Sequence, residues 1–132
     1  MKNNKGQSLI EVVFSMGVVI LVLVGVVMLM VVTAKAKRIA SERQKAIELS
    51  QLMIEETVLY SKNNTLDFWK KINGKETINT SACSDFSDYL CSIQYGDVNE
   101  CIADKQCKLI FKIIWGDSQN LSVERVFLRK GL

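Results

Sequence analysis

The chain has 132 residues, 48% of them hydrophobic, and its formal net charge at pH 7 is +3. This length predicts one folded domain, and the nearly balanced charge does not indicate a nucleic-acid partner. Histidine is absent, which removes the commonest general base and metal ligand. No nucleophile elbow, phosphate-binding loop or paired catalytic carboxylates can be placed, so we predict that the chain is not an enzyme and has no cofactor or metal.

The first distinctive stretch is residues 5–15, KGQSLIEVVFS, which places Glu11 at the start of a long apolar run. No charged residue occurs from residue 12 to residue 34. As a helix, this run is about 35 Å long and can cross the roughly 30 Å hydrocarbon core of a bilayer. Because it lacks a polar face, we predict a membrane span or the centre of a helical assembly. For its glycines, Gly17 and Gly25, we prefer close helix packing to a weak point in the helix.

Two ordinary interpretations of residues 1–34 are possible. A secretory signal would end at Ala34 and Ala36, but its apolar region is usually only about 7–15 residues long. An uncleaved anchor fits by length. However, more basic residues follow the span than precede it, which opposes an orientation with the N-terminus inside. The residues after the span are Lys35, Lys37 and Arg38, and those before it are Lys2 and Lys5.

A third interpretation is a short basic leader, residues 1–6, that a peptidase removes after Gly6. A small backbone suits a protease that grips an extended segment. Cleavage frees the amine of Gln7, one helical turn from Glu11. An unpaired charge inside a membrane helix costs about 3 kcal/mol, and this ammonium group, from the same chain or from a neighbouring subunit, is the missing partner. Glu11 is therefore the predicted assembly residue.

KGQSLIEVVFS with its apolar run resembles the class III leader of type IV pilins and pseudopilins. The resemblance implies that a membrane prepilin peptidase cleaves between Gly6 and Gln7 and methylates the new N-terminus. It also implies other pilin subunits and an assembly platform as partners, with membrane lipid around the helix before assembly. The family usually has an aromatic residue or methionine at the first mature position, so the extent of methylation at Gln7 stays open. Many major pilins have a proline in the apolar helix, and this chain has none.

After residue 34 the pattern becomes amphipathic and predicts a helix with one buried stripe. The Ser-Lys-Asn-Asn-Thr cluster at residues 61–65 predicts its end. The following sequence LDFWKKI predicts a short second helix, in which Phe68 and Trp69 serve packing. The stripe residues are Ile39, Ala46, Leu49, Met53 and either Leu59 or Tyr60.

The clearest strand signal is KLIFKIIW at residues 108–115, where apolar side chains alternate on one face. They are Leu109, Phe111, Ile113 and Trp115. GDSQN at residues 116–120 predicts a turn. In the strand that follows, the apolar positions shift parity after Val123, which predicts a β-bulge near Glu124 and Arg125. We expect this hairpin to pack on the amphipathic helix.

The four cysteines, Cys83, Cys91, Cys101 and Cys107, all follow the predicted helix. Their spacing is poor for zinc and for a redox site of the dithiol type. A small head with limited core favours disulfides in an oxidising compartment, which requires the N-terminus inside. Sequential and nested pairings both remain open.

Together these features predict an α+β fold. A long N-terminal helix, with a transmembrane half and an amphipathic half, packs on a small C-terminal antiparallel β-sheet head, like a pilin lollipop. Residues 1–6 are the predicted leader, and residues 7–34 are the transmembrane and assembly helix. Residues 35–62 are the amphipathic continuation of that helix, and residues 63–132 are the disulfide-containing head with the C-terminal hairpin.

The predicted function is that of a structural subunit of a type IV pilus or of a secretion or competence pseudopilus, with a minor pilin preferred to a major one. It would lie in the bacterial cytoplasmic membrane with an extracytoplasmic head until it joins the filament. The alternative is an uncleaved, single-span sensor or adhesion protein. The sequence leaves open which system the subunit serves and whether the head binds DNA or another partner.

Overall fold

The computed structural model describes residues 5–97, 99–103 and 105–129, with side chains from Leu9 onward. It has the predicted α+β architecture, a long helix followed by a short helix and an antiparallel sheet. Two units, Met1–Glu42 and Arg43–Leu132, are described separately. The elements are α1 (Lys5–Asn63), α2 (Thr65–Gly74), β1 (Tyr89–Tyr95), β2 (Cys101–Ile102), β3 (Gln106–Trp115) and β4 (Gln119–Leu128).

β3 is the central strand of the sheet. β4 pairs antiparallel with β3 along its whole length, so β1 and β2 share the opposite edge of β3. Alternate residues of β3 are buried, which confirms the predicted inward face of Leu109, Phe111, Ile113 and Trp115. At the hairpin turn, Gly116 has a φ of 58°, a left-handed conformation that glycine adopts without steric strain.

The predicted bulge near Glu124 and Arg125 is wrong. Pairing between β3 and β4 continues without interruption from Gln106↔Leu128 to Trp115↔Gln119. Alternate side chains of β4 continue to face the core side of the sheet through Arg125 to Phe127, which is buried. Arg125 is on the core side of the sheet but at its margin, beside Ile54 and Val58 of α1. Its side chain is exposed there, so its charged end reaches solvent. The apolar side chains that suggested a shift lie on the uncovered face of the sheet.

The C-terminal part of α1 supplies one wall of the head core. Ala46, Leu49 and Met53 are buried with the inward residues of β3, which confirms the predicted stripe and its contact with the hairpin. Tyr60 continues the stripe, whereas Leu59 is exposed. Ile39, in the N-terminal unit, is 52% exposed. Its assignment to the stripe is therefore wrong, because the buried positions begin at Ala46.

Two polar side chains, Ser50 and Thr57, are buried within this stripe. The Ser50 hydroxyl donates to the carbonyl oxygen of Ile47 at 2.7 Å, and the Thr57 hydroxyl donates to that of Met53 at 2.8 Å. Because both hydroxyls are satisfied by the helix backbone, their burial leaves no donor without a partner.

α2 is the short second helix that the sequence predicted, and its buried residues contribute to the core. α1 ends at Asn63, within the predicted breaker cluster, and α2 begins at Thr65. The Phe68 ring is fully buried and lies 5.5 Å from the Phe127 ring, 5.8 Å from that of Trp69 and 6.1 Å from that of Tyr60, between centroids. Phe68 and Trp69 therefore serve packing, as expected.

Two disulfides stabilise the head. Cys83 in the loop before β1 is joined to Cys91 in β1, and Cys101 in β2 is joined to Cys107 directly opposite it in β3. Of the pairings that the sequence left open, the structure has the sequential one. Loops this short each contribute about 2–3 kcal/mol in the chain-entropy description.

Candidate functional site

The first candidate site is the exposed apolar surface of α1. The large hydrophobic side chains between Leu9 and Val32 are all exposed, from 42% at Val26 to 74% at Phe14. One helix, Leu9–Asn63, is long and apolar enough to cross a membrane, with a mean hydropathy of 3.0 in its most apolar window. Together with the disulfide-bonded head, this helix is compatible with a single-pass membrane protein.

The hydroxyl groups along this surface are satisfied within the helix. Ser15 Oγ donates to the carbonyl oxygen of Glu11, and Thr33 Oγ1 donates to that of Leu29 at 2.6 Å. Such bonds suit a helix in lipid, where each polar group needs an internal partner. Glu11 is the only charged residue of the sequence between residues 9 and 34, and its side chain is exposed. It is therefore the side chain of this surface that most needs a partner.

The predicted cleavage residues lie in the first turns of the same helix. Gly6 and Gln7 have helical backbone in α1, and Glu11 follows Gln7 by one turn. The structure thus brings the three predicted site residues onto one helix end. Residues 1–4 of the predicted leader, and the side chain of Gln7, lie outside the part of the chain that the structure describes.

Contacts among the described residues do not require either glycine of the apolar run. A Cβ atom added at Gly17 or at Gly25 would meet nothing within 4 Å. Each glycine disfavours the helix by about 1 kcal/mol relative to alanine. Close packing can explain them only if the contacting atoms belong to another molecule, as small residues at helix–helix contacts in membranes do.

A second polar site, which the sequence pattern did not reveal, joins α1 to the loop before the first disulfide. The Glu56 carboxylate accepts hydrogen bonds from Thr80 Oγ1 and Ser81 Oγ, each at 2.7 Å, and from Ser81 N at 3.1 Å. The helix pattern alone places Glu56 on a solvated face. The two hydroxyl residues shortly before Cys83 were the available signal, but nothing in the sequence pairs them with this acid.

The environment of Glu56 favours its charged form. Partial burial by itself raises the pKa of this carboxyl group, but the hydrogen bonds from Ser81, Thr80 and the loop backbone together outweigh it. The pKa of Glu56 therefore lies below its ordinary value of 4.5. A carboxylate that is stabilised by several donors in this way holds the loop to the helix most strongly when it is ionised.

Replacing Glu56 by glutamine is expected to lower the free energy of unfolding at pH 7 by about 1–2 kcal/mol. Because the pKa of Glu56 is lowered on folding, the wild-type advantage is present above pH 4.5 and is lost as the pH falls through the folded value. Denaturant unfolding at a series of pH values measures both effects. Glu48→Gln, an exposed change on the same helix, is the control. An equal loss in both variants, or a pH-independent loss at Glu56, would contradict this role.

The outer face of the sheet carries an ion-pair network. Lys108 Nζ lies 2.8 Å from Glu100 Oε1 and 2.7 Å from Glu124 Oε2. Its hydrogen bonds to the two carboxylates raise the pKa of Lys108, and the bond from Lys108 lowers the pKa of Glu100. These groups are partly exposed, so each pair contributes little to stability. The network braces neighbouring strands and shows no arrangement for acid–base chemistry.

The described part of the head has several open clefts on its surface. One of about 470 Å³ lies where α1, α2 and the end of β4 meet, and Phe68, Trp69 and Phe127 are among its lining residues. Among the described residues, no group of three or more His, Cys, Asp or Glu side chains is arranged to hold a metal ion.

Comparison of the chain with protein-family models, with curated proteins and with solved structures finds no match. The features of the chain itself that bear on function are above all the start of α1 and its exposed apolar surface.

Proposed function

We propose that this chain is a structural subunit, of the minor-pilin kind, of a type IV pilus or of a related secretion or competence pseudopilus. One observation carries the proposal. Gly6, Gln7 and Glu11 lie in the first turns of a single helix, which exposes an apolar surface of membrane length and whose C-terminal part contributes to the core of a disulfide-bonded head. Its function in this proposal is assembly, and it has no enzymatic role.

Assembly moves the helix from lipid to the interior of a filament. Both environments are apolar, so the transfer exchanges one set of dispersion contacts for another at little net cost. Cleavage after Gly6 supplies the Gln7 ammonium group, which pairs with Glu11 of the same or a neighbouring subunit. The disulfides support a head on the oxidising side of the membrane. The prepilin peptidase and an assembly platform are the partners that the leader resemblance implies.

An uncleaved, single-span sensor or adhesion protein is the second candidate. The same exposed apolar helix and extracytoplasmic head fit a plain anchor by length and composition. A plain anchor, however, needs neither a glycine at residue 6 nor a carboxylate one turn after residue 7. The two candidates differ in the first residue of the mature chain, which is Gln7 for the subunit and Met1 for the anchor.

Mass spectrometry of the protein from cells that contain a prepilin peptidase tests the proposal directly. The wild-type chain is expected to begin at Gln7, and Gly6→Leu is expected to leave most of the chain uncleaved in the membrane, because a bulky side chain obstructs the protease at the cleaved bond. Asn3→Leu is the matched control and should be processed normally. Wild-type protein that retains residues 1–6, or efficient cleavage of Gly6→Leu, would refute the leader assignment.

A further inference from the structure

The strand β4 forms one edge of the sheet along its whole length. It has ten residues and pairs with β3 on one side, and no other described strand pairs with it. At about 3.4 Å per residue, this free edge of β4 is about 34 Å long. Phe127 is the only buried residue of the strand, and the others are half-buried or exposed.

The backbone groups that the free edge presents follow from the hydrogen bonds of β3. Gly96 N donates to Lys108 O at 2.8 Å, and Lys108 N donates to Glu100 O at 3.1 Å. Both backbone groups of Lys108 therefore face β1 and β2. Because this direction alternates along an antiparallel strand, Leu109 and every second residue after it bond to β4, where Leu109 pairs with Arg125.

The residues between those bonded positions of β4 direct their N–H and C=O groups away from β3. No segment among the described residues supplies a backbone partner for them. Edge strands are usually short, or are interrupted by proline or a bulge, whereas β4 is long, has no proline and pairs without a bulge. Its protection is limited to two charged side chains, Glu124 and Arg125. The residues with outward backbone groups are Asn120, Ser122, Glu124, Val126 and Leu128.

The core side of the sheet has room for the side chains of an added strand. An open cleft of about 320 Å³ lies between Arg125 and α1, with Ile54 and Val58 in its lining. Leu109, which pairs with Arg125 on β3, is fully buried, so the open space lies along the free edge. Arg125 and Glu55 give the cleft one charge of each sign, which favours uncharged side chains there.

On the outer side of the sheet, β4 is polar at its start and apolar at its end. Asn120 and Ser122 are exposed at the start, whereas Val126 and Leu128 are 55% and 68% exposed at the end. Cross-strand neighbours of like polarity stabilise a sheet. A strand that matches this edge is therefore apolar beside the end of β4 and polar beside its start.

The middle of the edge adds a charge preference. Lys108 contacts the carboxylates of both Glu100 and Glu124, so one lysine serves two acids and the trio has a net negative charge. Glu124 belongs to β4 and borders the free edge. A basic side chain on the added strand beside Glu124 is therefore favoured.

A second copy of β4 does not match the free edge. When two whole β4 strands pair antiparallel, the apolar end of each lies beside the polar end of the other. In a parallel pair, the same edge of both copies can meet only when one sheet is turned over, so that the core side of one continues the outer side of the other. The polarity of the edge therefore favours a strand from a different protein.

We propose that the free edge of β4 binds an extended segment of another protein as an added strand, antiparallel to β4. This segment has apolar residues beside Val126 and Leu128 and a basic residue beside Glu124. The contact gives the head a binding function beyond the assembly role of α1. It uses residues of the head alone, so it does not depend on cleavage after Gly6.

A synthetic peptide, acetyl-Val-Ile-Val-Thr-Lys-Val-Thr-Val-Thr-amide, is the probe. Antiparallel to β4, it places its lysine beside Glu124 and its third residue beside Val126, and its odd-numbered residues direct their N–H groups toward β4. N-methylation of the third and seventh residues removes two of these donors. It is expected to lower the affinity for the full chain in detergent at least ten-fold, measured by fluorescence anisotropy of the labelled peptide.

N-methylation of the fourth and sixth residues of the probe is the matched control. Their N–H groups point away from β4, so the affinity should stay within two-fold of that of the unmodified peptide. Absence of binding by this control probe, or equal binding by the two methylated probes, would overturn the proposal.

Amide hydrogen exchange, resolved by residue with NMR on the same full chain, tests the position of the bound strand. The control probe is expected to slow exchange at Ser122, Glu124 and Val126 at least ten-fold and to leave Val123 and Arg125 nearly unchanged. Docking of the peptide on a face of the sheet gives no such alternation. Uniform protection, or no protection of the outward amides, would overturn binding at the edge.

The variant Ser122→Pro tests the same hydrogen bonds from the side of the protein. Proline removes an N–H group that points away from β3, a position where edge strands tolerate it, and is expected to lower the affinity for the control probe at least ten-fold. Ser122→Ala should bind like the wild type. Equal binding by both variants would contradict the proposal, and the methylated probes give the same test on the unchanged chain.

Replacing the lysine of the probe by glutamate is expected to lower its affinity at least five-fold. Glu124→Gln should reduce this preference, because the remaining pair of Lys108 and Glu100 has no net charge. An equal preference in the wild type and in Glu124→Gln would overturn the predicted contact with the basic residue.

The start of the mature chain is determined in the same preparations, which separates this proposal from the proposed function. Chains that begin at Gln7 and do not bind the control probe would overturn the edge contact and leave the pilin-like function intact. Chains from peptidase-containing cells that retain residues 1–6 and bind the probe would support the edge contact and overturn the pilin-like function.

Discussion

Replacing Glu11 by valine is expected to leave the protein in the membrane and to reduce its incorporation into filaments at least ten-fold. Insertion should not suffer, because removal of the only charge between residues 9 and 34 makes the helix more apolar. Incorporation should fall because the Gln7 ammonium group then has no counter-charge, and a charged hydrogen bond is worth about 1.5–3 kcal/mol. Quantitative immunoblotting of sheared filaments and of membranes measures the two effects separately.

Two conservative variants distinguish charge from size at this position. Glu11→Gln keeps the length of the side chain and removes the charge, so it should behave nearly like Glu11→Val. Glu11→Asp keeps the charge on a shorter side chain and should incorporate better than either. Incorporation of Glu11→Val at the wild-type level would eliminate the assembly role of this carboxylate, whereas a loss of membrane insertion would show that Glu11 acts before assembly.

Replacing Phe111 by alanine is expected to destabilise the head by about 3–5 kcal/mol, the usual result of emptying an aromatic position in a core. Phe111 is fully buried at the centre of β3, between Ile93 of β1 and Val123 of β4. Denaturant unfolding of the full chain in detergent, followed by the fluorescence of Trp69 and Trp115, measures the loss. A destabilisation below 1 kcal/mol would contradict the single core described for the head.

Leu90→Ala is the matched control for the core prediction. Leu90 belongs to the same sheet but is 69% exposed on its outer face. Its truncation is expected to change the free energy of unfolding by less than about 0.5 kcal/mol, as exposed substitutions usually do. A large effect at Leu90 would indicate that the outer face of the sheet is covered in the assembled protein, and it would then depend on protein concentration.

Several features followed from short stretches of sequence. The uncharged run after Glu11, the end of α1 within residues 61–65 and the alternation in β3 are local patterns, because helix and strand periodicity fix which side chains share a face. The candidate site residues Gly6, Gln7 and Glu11 were proposed from another short stretch, through its resemblance to a prepilin leader. Their proposed chemistry depends on residue type and on spacing along one helix.

Other features were decided by contacts between distant segments. The order of apolar residues in β4 led to the wrong prediction of a bulge, because Arg125 faces the core side at a margin of the sheet that is open to solvent. That margin is defined by how far α1 extends beside the strand. Ile39 satisfied the helical period, but the buried stripe begins at Ala46. The hydrogen bonds of Glu56 to Ser81 and Thr80 and the disulfide pairing likewise depend on which loops approach α1 and the sheet.

The sequence by itself therefore determined α1, α2 and the β3–β4 hairpin, together with the inward face of β3, and it supports the proposal of a processed N-terminus. The tertiary structure decided which of those faces are covered, and it showed that the apolar side chains between Leu9 and Val32 of α1 are exposed. The physical reason is that periodicity sets the direction of a side chain, whereas burial and charge pairing depend on the neighbour that stands opposite it. That neighbour is specified by the whole fold.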